Sequence, residues 1–577
     1  MPKKIPWGQS DFERIRTQNY VYVDKTRFIE MVENEANSYC FLIRPRKFGK
    51  SLFLSVLKHY YDVCYADKFD ELFGDLYIGK NPTPKRNSLF VMRFSFSGLD
   101  TSSEEKFQIS FTGAIRGSIE FFLTGHKSVI KDYEEKLKEL KDYKTVRHYI
   151  EFAFRIIDGF SKKAYIIIDE YDHFANDLIA LGSNLDNRQY KELIWANGVV
   201  RDFYETLKDN TEKVIDSIFI TGITPIMLDD VTSGFNISNN LSLKEKYCEI
   251  LGFTEEEVEF VSQEAGIDKS LIKVDIKYLY NGYKFHADAK NKLYNSSLIN
   301  YFFLELLDEG EKIERLNDDN LKTDYGRIKQ LLNKSENVKK IENIIEFESI
   351  PSKVIARFSI DKIHESKNFL SLLYYMGLVT IDNDEKSGAP LLKIPNYSVK
   401  TMYWEYMENI IFERNPQMIF DPSVIYNDLL QMAFDGEYKP FFDSFQQNIV
   451  SQISNRDLEN FSEKNLKFLL LNNLLQSSLY LPISELENSQ GYTDIYLQRR
   501  NYLYPKILSD WIWELKYVKE ADAKKTALIA KKKKEAREQL QRYKASNLFK
   551  DRNDVRYLAV VFIGKKKYWI EELRIEN

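Results

Sequence analysis

The sequence predicts a multidomain α/β protein, and three stretches of the chain carry that prediction. An apolar run at residues 41–43 ends in a basic loop, and Gly49-Lys50-Ser51 then opens an amphipathic segment. A second apolar run, at residues 165–168, ends in two acids. Near the C-terminus, residues 491–497 alternate as a half-buried strand does. The chain of 577 residues has room for about three or four domains.

The first stretch has the layout of a phosphate-binding loop, in which a strand, a loop and a helix N-terminus follow one another. Lys50 would reach the β- and γ-phosphates of a nucleotide, and the Ser51 hydroxyl would hold Mg²⁺. The pattern G-x-x-x-x-G-K-[ST] requires glycine where this chain has Arg44, and an ordinary strand-to-helix turn is the alternative. Arg44 requires either a different loop path or a phosphate contact of its own.

The second stretch supplies the acidic partner that a phosphate loop needs. A short continuous apolar run is typical of a central parallel strand, and this one ends in Asp169 and Glu170. Asp169 is expected to bind Mg²⁺ through water, and Glu170 to polarise the attacking water. A strand that simply meets solvent at two acids is the alternative.

Two more strands complete the predicted sheet. Residues 89–96 lie between the two motifs along the chain, and residues 217–222 follow the second motif. An inserted strand and a Glu after the Asp are typical of the ATPase branch of P-loop proteins, in which Thr221 and Thr224 would sense the γ-phosphate. Parallel strands need helical crossovers, and helical spacing occurs over residues 107–140, 145–160 and 190–207.

Composition limits the class of protein. With 44% hydrophobic and 14% aromatic residues the chain can bury large cores. The 82 basic and 87 acidic residues give a net charge of −5, so no global charge indicates nucleic acid. Three scattered cysteines argue against a disulfide framework or a zinc site and favour a reducing compartment. The sequence lacks a signal-peptide core and an 18-residue apolar run, so we expect a cytoplasmic protein without membrane contact.

Four N-terminal motifs resemble the bacterial AAA-ATPase-like domain family: Tyr22-Val-Asp-Lys-Thr26, Arg44-Pro-Arg-Lys-Phe-Gly-Lys-Ser51, Ile168-Asp-Glu-Tyr-Asp172 and Thr221-Gly-Ile-Thr224. In that family an arginine stands in place of the first glycine, so Arg44 is a family feature. The resemblance implies that ATP and Mg²⁺ are the cofactors. It also implies a nucleotide-binding set of Arg44, Pro45, Arg46, Lys47, Phe48, Gly49, Lys50, Ser51, Asp169 and Thr221.

The middle region resembles the same family in Tyr280-Asn-Gly-Tyr-Lys-Phe285, Leu293-Tyr-Asn-Ser-Ser-Leu298 and Ile394-Pro-Asn396. We expect it to be helical, with a winged-helix-like part. A helix from residue 369, a C-cap at Gly377, a strand at 378–381 and a wing turn at 382–388 make up that part. Winged helices bind DNA or serve as protein–protein modules, and without a basic recognition helix the second role is favoured.

The C-terminal stretch carries a second set of chemical groups. Residues 491–497 and 509–517 are predicted as adjacent antiparallel strands, and period-two alternation places Glu514 and Lys516 on one face. If Asp494 faces the same side, two carboxylates and an ammonium group converge, as metal-dependent phosphodiester hydrolysis requires. Asp494 and Glu514 would bind Mg²⁺, and Lys516 would orient or help to deprotonate water. A surface salt bridge on a hairpin is the alternative.

The elements around these strands follow the order of a restriction-endonuclease-like α/β core. A helix from Glu463 precedes the two strands, and a basic helix at 523–543 and a buried strand at 555–562 follow them. Members of the resembled family typically end in a domain of the PD-(D/E)XK nuclease superfamily. Asp494, Glu514 and Lys516 all match the superfamily motif.

The resemblance adds one residue to the expected active site and leaves one contact open. The basic helix is similar to the family's Gln-containing helix, and this resemblance places Gln539 near the active site. Gln541, on another face of the helix, is the alternative for the same role. Tyr492 stands where relatives often carry Arg, so a phosphate contact at that position is open.

The strongest basic cluster lies on the same helix. It could contact a phosphate backbone or be a solvated helix face, and it comprises Lys524, Lys525, Lys531, Lys532, Lys533, Lys534 and Arg537. Beside a predicted nuclease site, a nucleic-acid partner is favoured, with DNA preferred. A homo-oligomer is left open.

These observations divide the chain into three predicted domains and support two functions. Residues 1–240 form an AAA-ATPase-like P-loop domain, 241–420 the middle region and 421–577 a PD-(D/E)XK nuclease-like domain. The first function is an ATPase coupled to a Mg²⁺-dependent nuclease. The second is a nucleotide-switched binding or signalling protein whose nuclease fold only binds nucleic acid or a partner. The complete set of Asp494, Glu514 and Lys516 favours the first.

Overall fold

The computed structural model describes residues 1–173, 198–225, 239–314, 316, 335–358, 362, 365–384, 387–416, 422–454 and 461–573. The described parts belong to two compact units. The first spans residues 1–269, 274–308 and 317–397, and the second spans 270–273, 309–316 and 398–577. Helices and strands are numbered along the described residues. The three-domain division at residues 240 and 420 stays a prediction.

A five-stranded sheet forms the centre of the first unit. All of its strands are parallel, in the order β2-β3-β4-β1-β5. They are β1 (Tyr39–Ile43), β2 (Phe90–Ser95), β3 (Ala164–Asp169), β4 (Ile215–Gly222) and β5 (Asn239–Asn240). The parallel α/β sheet predicted for this half of the chain is confirmed.

The position of β4 brings the two sequence motifs to the same edge of the sheet. β4 lies between β1 and β3, with Ile43 beside Gly222 and Ile168 beside Ile220. The carboxyl ends of these strands therefore meet, as they do at ligand sites of open parallel sheets. β2, which lies between the motifs along the chain, is an outer strand in space.

Nine described helices accompany this sheet: α1 (Phe12–Thr17), α2 (Arg27–Glu33), α3 (Lys50–Tyr61), α4 (Phe69–Phe73), α5 (Tyr77–Lys80), α6 (Glu104–Gly125), α7 (Tyr133–Glu139), α8 (Val146–Asp158) and α9 (Val199–Asp209). α8 begins where Thr145 accepts a hydrogen bond from the His148 amide, a typical N-cap. The predicted helix at 107–140 is divided into α6 and α7 by a turn after His126. Part of the predicted helix at 190–207 lies outside the described residues.

The rest of the first unit contains short strands and helices. The helices are α10 (Glu255–Glu264), α11 (Ile276–Tyr280), α12 (Ser296–Glu309), α13 (Ser335–Phe347) and α14 (Ser366–Tyr375). The strands are β6 (Asn281–Tyr283), β7 (Leu293–Tyr294), β8 (Ser349–Pro351), β9 (Thr380–Asn383) and β10 (Pro390–Lys393). α14, Gly377 at φ 79° and the antiparallel β9–β10 pair follow the predicted winged-helix outline. Residues 385 and 386 of its turn lie outside the described part.

A second five-stranded sheet organises the second unit, in the order β11-β12-β13-β14-β15. Its strands are β11 (Tyr480–Asn488), β12 (Gly491–Arg499), β13 (Asp510–Val518), β14 (Val555–Ile563) and β15 (Lys567–Glu572). Only β13 and β14 pair in parallel. The described helices are α15 (Tyr397–Arg414), α16 (Pro422–Phe434), α17 (Lys439–Asn448), α18 (Glu463–Leu475) and α19 (Thr526–Lys544). The first residue of α15, Tyr397, still belongs to the first unit.

β13 is the central strand of this sheet and is buried at all of its positions. Trp513 packs against Phe441 and Phe442 of α17, while Ile512 belongs to a cluster with Leu540 of α19. Helices thus cover both faces, and polar side chains on β13 are held in a desolvated environment. Of the helices that the structure describes, none has the length and apolarity needed to cross a membrane.

Candidate functional sites

The loop between β1 and α3 follows a path set by left-handed residues. Lys47 has φ 63° and Gly49 has φ 97°, and glycine is the residue that adopts this conformation at least cost. α3 starts directly after Gly49 with Lys50 and Ser51. The backbone amides of a first helical turn have no acceptor within the helix, so they face outward as donors. This is the strand–loop–helix arrangement expected from the sequence.

Arg44 is part of the framework of this loop. Its side chain is 1% exposed and donates hydrogen bonds to the carbonyls of Ile43, Ser242 and Tyr247, at 2.8 to 2.9 Å. The guanidinium also lies 4.0 Å from the ring centroid of Phe285. All of these carbonyls belong to the protein interior, as a different loop path would require. A contact between Arg44 and nucleotide stays a prediction.

The carbonyls of the loop are also occupied. Asn295 Nδ2 donates to Arg46 O at 3.2 Å, and the Ser297 amide donates to Lys47 O at 3.2 Å. The Gly252 amide donates to Phe48 O at 3.2 Å. Because these oxygens are held by residues from the middle of the chain, the loop offers donors to a ligand, and donors are what an anion requires.

Lys50 is buried beside the acidic motif. Its ammonium group donates to the carbonyls of Arg44 and Pro45, at 2.9 and 2.8 Å. Burial lowers the pKa of Lys50 to about 8, against the opposing charges of Asp169, Asp172 and Glu170. A cation with this depressed pKa gains from any anion that reaches it, which suits a phosphate-binding lysine.

The two acids at the end of β3 have different environments. Asp169 is 3% exposed and accepts hydrogen bonds from Thr221 Oγ1 at 2.9 Å and Arg93 Nη2 at 2.8 Å. Glu170 is half-buried and has φ 52°, an unfavourable conformation for a residue with a Cβ. Strain of this kind concentrates at functional sites. Arg93 on β2 was missed by the sequence analysis, because nothing in the pattern of that strand indicates which acid it meets.

A third acid holds the segment that follows β4. Asp172 accepts hydrogen bonds from the amides of Ile223 and Thr224 and from the Thr224 hydroxyl, at 2.6 to 3.1 Å. A Cβ on Gly222 would lie 2.4 Å from Asp172 Oδ1, so this close approach requires glycine. The Thr224 hydroxyl is thus bound to Asp172, and the Thr221 hydroxyl to Asp169.

A cavity of about 540 Å³ opens beside the loop. Its volume is in the range of small-molecule and cofactor sites. Six consecutive loop and helix residues, 46–51, line it together with Glu170. Apolar and aromatic side chains form much of the remaining wall, namely Trp7, Tyr22, Val23, Leu251 and Phe253. One cavity therefore combines anion-binding donors, an acid and a surface suited to an aromatic base.

In the second unit, the predicted carboxylates and lysine converge. Lys516 Nζ hydrogen-bonds to a carboxylate oxygen of Glu514 and lies 3.9 Å from Asp494 Oδ2. Asp494 Oδ2 also accepts the Leu515 amide at 2.9 Å, which fixes the carboxylate between β12 and β13. The expectation that Asp494 faces the same side as Glu514 and Lys516 agrees with these distances.

The electrostatics of this cluster are those of crowded carboxylates. Burial, together with the neighbouring charge of Asp494, raises the pKa of Glu514 to about 8. Burial lowers the pKa of Lys516, but Glu514 and Asp494 outweigh it, and the net pKa is raised. A divalent cation would relieve the repulsion that disfavours ionised Glu514, so the donor set fits such an ion.

Helix α18 and strand β11 add three residues that the sequence analysis did not assign. Glu463 lies 3.8 Å from Lys516 Nζ and accepts the Tyr517 amide at 3.0 Å. Lys467 Nζ bonds to Glu485 and lies 3.6 Å from Asp494 Oδ1. Glu485 has φ 56° at a break in the β11–β12 register. The site thus holds four carboxylates and two ammonium groups, an excess of two negative charges when all are ionised.

Helix α19 contributes a tyrosine to the same site. Tyr543 Oη hydrogen-bonds to Glu514 Oε2 at 3.1 Å and to Tyr492 O at 2.6 Å. Gln539 lies one turn before Tyr543 on the same face of the helix and is half-buried, whereas Gln541 is exposed. Gln539 is therefore better placed than Gln541, and its role stays a prediction. The Tyr492 side chain is 54% exposed.

The basic run of α19 is largely paired with acids. Lys532 lies 3.2 Å from Glu535, and Lys534 lies 3.7 Å from Glu538. Arg537 bonds to Glu571 at 2.6 Å. These exposed pairs are weak, but the three acids offset part of the positive charge that the run would show to a phosphate backbone. The contact between this run and nucleic acid stays a prediction.

Several known proteins are similar to this chain. A protein described as uncharacterised, from the vnfD 5′ region of Azotobacter chroococcum mcd 1, is 26% identical over 303 residues, which are 50% of each chain. The chain therefore spans about half the length of this curated relative. A Walker-type ATPase of Pyrococcus abyssi shares 14% identity at a TM-score of 0.36, covering 70% of this chain and 98% of its own. Cdc6p from Pyrobaculum aerophilum shares 10% identity at a TM-score of 0.23, and the match covers 72% of this chain and 97% of that protein.

Two family models match separate parts of the chain. Residues 6–232 match the predicted AAA-ATPase family, a range that includes the loop at 44–51 and the acids at 169–172. Residues 461–572 match the PD-(D/E)XK nuclease superfamily and include Glu463, Asp494, Glu514 and Lys516. The N-terminal part of the chain is thus similar to the AAA-ATPase-like family, and the C-terminal part is similar to the PD-(D/E)XK nuclease superfamily.

Proposed function

We propose that this protein binds ATP with Mg²⁺ in its first unit and uses the nucleotide to control a Mg²⁺-dependent nuclease in its second unit. The observation that carries the proposal is the cluster of buried Glu514 and Lys516 with half-buried Asp494 and Glu463, in a region similar to a nuclease superfamily. A domain that only gripped nucleic acid would have no need to bury mutually repelling carboxylates around one lysine.

In the proposed nucleotide site, the loop, the first residues of α3 and the polar residues at the ends of β3 and β4 have different roles. The amides of residues 46–51 would hold the phosphates, with Lys50 supplying charge. Ser51 and Asp169 would hold Mg²⁺, whose chemistry is to neutralise charge on the phosphates. Glu170, strained and at the cavity wall, would orient water as a base. Thr221, bonded to Asp169, would respond to the terminal phosphate through that acid.

The nuclease site assigns different work to its carboxylates and its lysines. Asp494 and Glu514 would hold Mg²⁺, which supplies Lewis acidity toward a phosphodiester. Lys516, within 3.9 Å of both acids, would orient the attacking water and offset charge on the phosphate. Tyr543 fixes one oxygen of Glu514, and Gln539 lies a turn away on the same helix face.

Helix α12 offers a covalent route between the two activities. At its start, Ser296 Oγ and the Ser297 amide donate to Lys47 O in the phosphate loop. It ends at Glu309, where the chain enters the second unit. There Arg500, which follows the strand of Asp494, donates to the carbonyls of Ile313 and Glu314. Movement of the loop on nucleotide binding would therefore be passed along α12.

A cleavage assay with plasmid and oligonucleotide substrates tests the nuclease part. We expect Mg²⁺-dependent cleavage that chelator abolishes, and a loss of at least about 100-fold in Asp494→Asn, because removing a metal-binding carboxylate weakens both metal binding and charge stabilisation. Glu487→Gln is the matched control, since Glu487 is an exposed acid on β11 outside the cluster, and it should cleave like the wild type.

Two results would contradict the nuclease assignment. One is cleavage that survives in Asp494→Asn, which would reveal a contaminating enzyme. The other is binding of nucleic acid without cleavage under Mg²⁺ and Mn²⁺, with and without ATP, which would favour the nucleotide-switched binding protein instead.

A further inference from the structure

Asp62, Cys64 and His126 form a cluster in the first unit that neither candidate site uses. Asp62 follows α3, Cys64 lies in the next short turn and His126 follows α6. One ligand atom from each residue lies within 4.8 Å of the others. Asp62 and His126 are 1% and 4% exposed, so the cluster is an interior feature with Cys64 at its partly open side.

The hydrogen bonds of His126 determine which ring nitrogen faces the cluster. His126 Nδ1 lies 2.8 Å from the carbonyl oxygen of Phe122, and because a carbonyl only accepts, Nδ1 must donate. In a neutral imidazole the lone pair is then on Nε2, which lies 3.0 Å from Asp62 Oδ1. Two acceptors face each other at this distance, so the contact requires either a second proton or a cation.

The position of the thiol favours a cation. A ligand atom of Cys64 lies within 4.8 Å of those of Asp62 and His126, and His126 Nδ1 is already bonded to the carbonyl of Phe122. In a Cys–His–Asp catalytic relay the imidazole stands between thiol and acid and uses both nitrogens. Here Nδ1 is bonded to Phe122, so only Nε2 is left for both the acid and the thiol. One proton on Nε2 would serve Asp62 alone, whereas a metal ion would bind all three groups.

The cluster is held ready by groups outside it. Asn87 Nδ2 donates to Asp62 O at 2.8 Å, and the Val63 amide donates to Leu89 O at 3.0 Å. The bond from His126 Nδ1 to a backbone carbonyl is the orienting contact that metal-binding imidazoles usually make. The ligands therefore need little rearrangement to meet around an ion.

We propose that Asp62, Cys64 and His126 bind a zinc-class divalent ion. A thiolate, an imidazole and a carboxylate together are a donor set for Zn²⁺ rather than for Mg²⁺ or Ca²⁺, which prefer oxygen ligands alone. With a thiolate, a carboxylate and a neutral imidazole, the charge of the donors also balances a divalent ion. The scattered cysteines argued against a zinc site in the sequence, because a site with one cysteine leaves no C-x-x-C signature.

The expected consequence is a metal link between the two helices that flank the cluster. α3 begins with Lys50 of the phosphate loop, and Asp62 directly follows its last residue. A metal ion bound here would fix the C-terminal end of α3 to that of α6. Because binding to the folded chain alone adds to its stability, Zn²⁺ should raise the melting temperature of the protein.

Titration of the chelator-treated full chain with Co²⁺ is the most specific test, since only a thiolate ligand produces a sulfur-to-cobalt charge-transfer band. We expect the band in the wild type and its loss in Cys64→Ser, with at least about tenfold weaker Zn²⁺ binding in competition with a chelating dye. Cys248→Ser is the matched control, because Cys248 is buried in the same unit outside the cluster, and it should keep the band.

A second measurement on the wild type covers the case in which Cys64→Ser fails to fold. Peptide-resolved alkylation should show Cys64 protected by Zn²⁺, and His126→Asn should reduce that protection. No charge-transfer band at saturating Co²⁺, a band that persists in Cys64→Ser, or equal alkylation of Cys64 with and without Zn²⁺ would each overturn the proposal and leave a buried Asp62–His126 ion pair.

Discussion

Lys50 illustrates how a single side chain can be prepared for an anion by its surroundings. Its ammonium group is buried and bonds to two loop carbonyls, and burial holds its pKa near 8. Nearby phosphates would stabilise the charged form and raise that pKa. Binding of ATP and protonation of Lys50 are therefore linked.

The first prediction follows from the sign of this shift. Below pH 8 the free protein already carries the charge, and above pH 8 it must take up a proton to bind ATP. The affinity for ATP should therefore fall as the pH rises from about 8 to 9.5, with proton uptake visible in calorimetry with buffers of different ionisation enthalpy. Lys50→Arg keeps its charge throughout and should show neither effect. Equal proton uptake by the wild type and by Lys50→Arg would contradict the assignment of the uptake to Lys50.

The residues of the candidate nuclease site differ in how far the sequence could predict them. The shared face of Glu514 and Lys516 was predictable, because side chains in a strand alternate with a period of two, whereas the side of Asp494, on another strand, was left conditional. Lys467 and Glu485 were not predictable, because Lys467 meets Asp494 from a helix 27 residues away and Glu485 faces the site only through its left-handed backbone. Tyr543 lies at the end of the predicted basic helix, but its bond to Glu514 depends on how α19 packs on β13.

At the scale of elements, the loop between β1 and α3 depends on the residue that departs from the usual pattern. The Arg44 guanidinium satisfies carbonyls of three separate residues and stacks on Phe285. Arg44 thus connects the phosphate loop to residues 242–285. A glycine there would match the common pattern and remove all of these bonds.

We therefore expect Arg44→Gly to harm the protein although it restores the consensus residue. The free energy of unfolding should fall by about 3 kcal/mol, because buried carbonyls at Ser242 and Tyr247 lose their donor. Chemical denaturation measures this change. Arg46→Gly gives the same loop an equal gain in backbone freedom at a half-buried position, and its loss of stability should be smaller. An Arg44→Gly protein as stable as the wild type would show that Arg44 is not a framework residue.

The order of the strands was harder to predict than their existence. Apolar runs located β1, β2, β3 and β4 within one or two residues, because buried parallel strands are continuously apolar. The insertion of β4 between β1 and β3 depends on long-range pairing, which leaves no local signal in the chain. The capping box of α10, formed by Thr254 and Glu257, depends in contrast on residues only three positions apart, so it is a local signal.

For the whole molecule, the central question is whether the two proposed activities are linked. The phosphate loop is bonded to the start of α12, and the chain after α12 is bonded to Arg500 in the second unit. A ligand can shift the second unit only if it favours one arrangement of this connection over another. Coupling between two such sites typically changes a binding equilibrium by roughly 5- to 150-fold.

The rate of DNA cleavage as a function of ATP concentration, in the wild type and in Lys50→Ala, tests this account most directly. Lys80→Ala, an exposed lysine at the end of α5, is the control for loss of a positive charge. We expect ATP to change the cleavage rate of the wild type and of Lys80→Ala by roughly fivefold or more, and Lys50→Ala to cleave at one rate whether or not ATP is present. A wild-type rate that is the same at every ATP concentration, or a Lys50→Ala protein that responds as the wild type does, would contradict it.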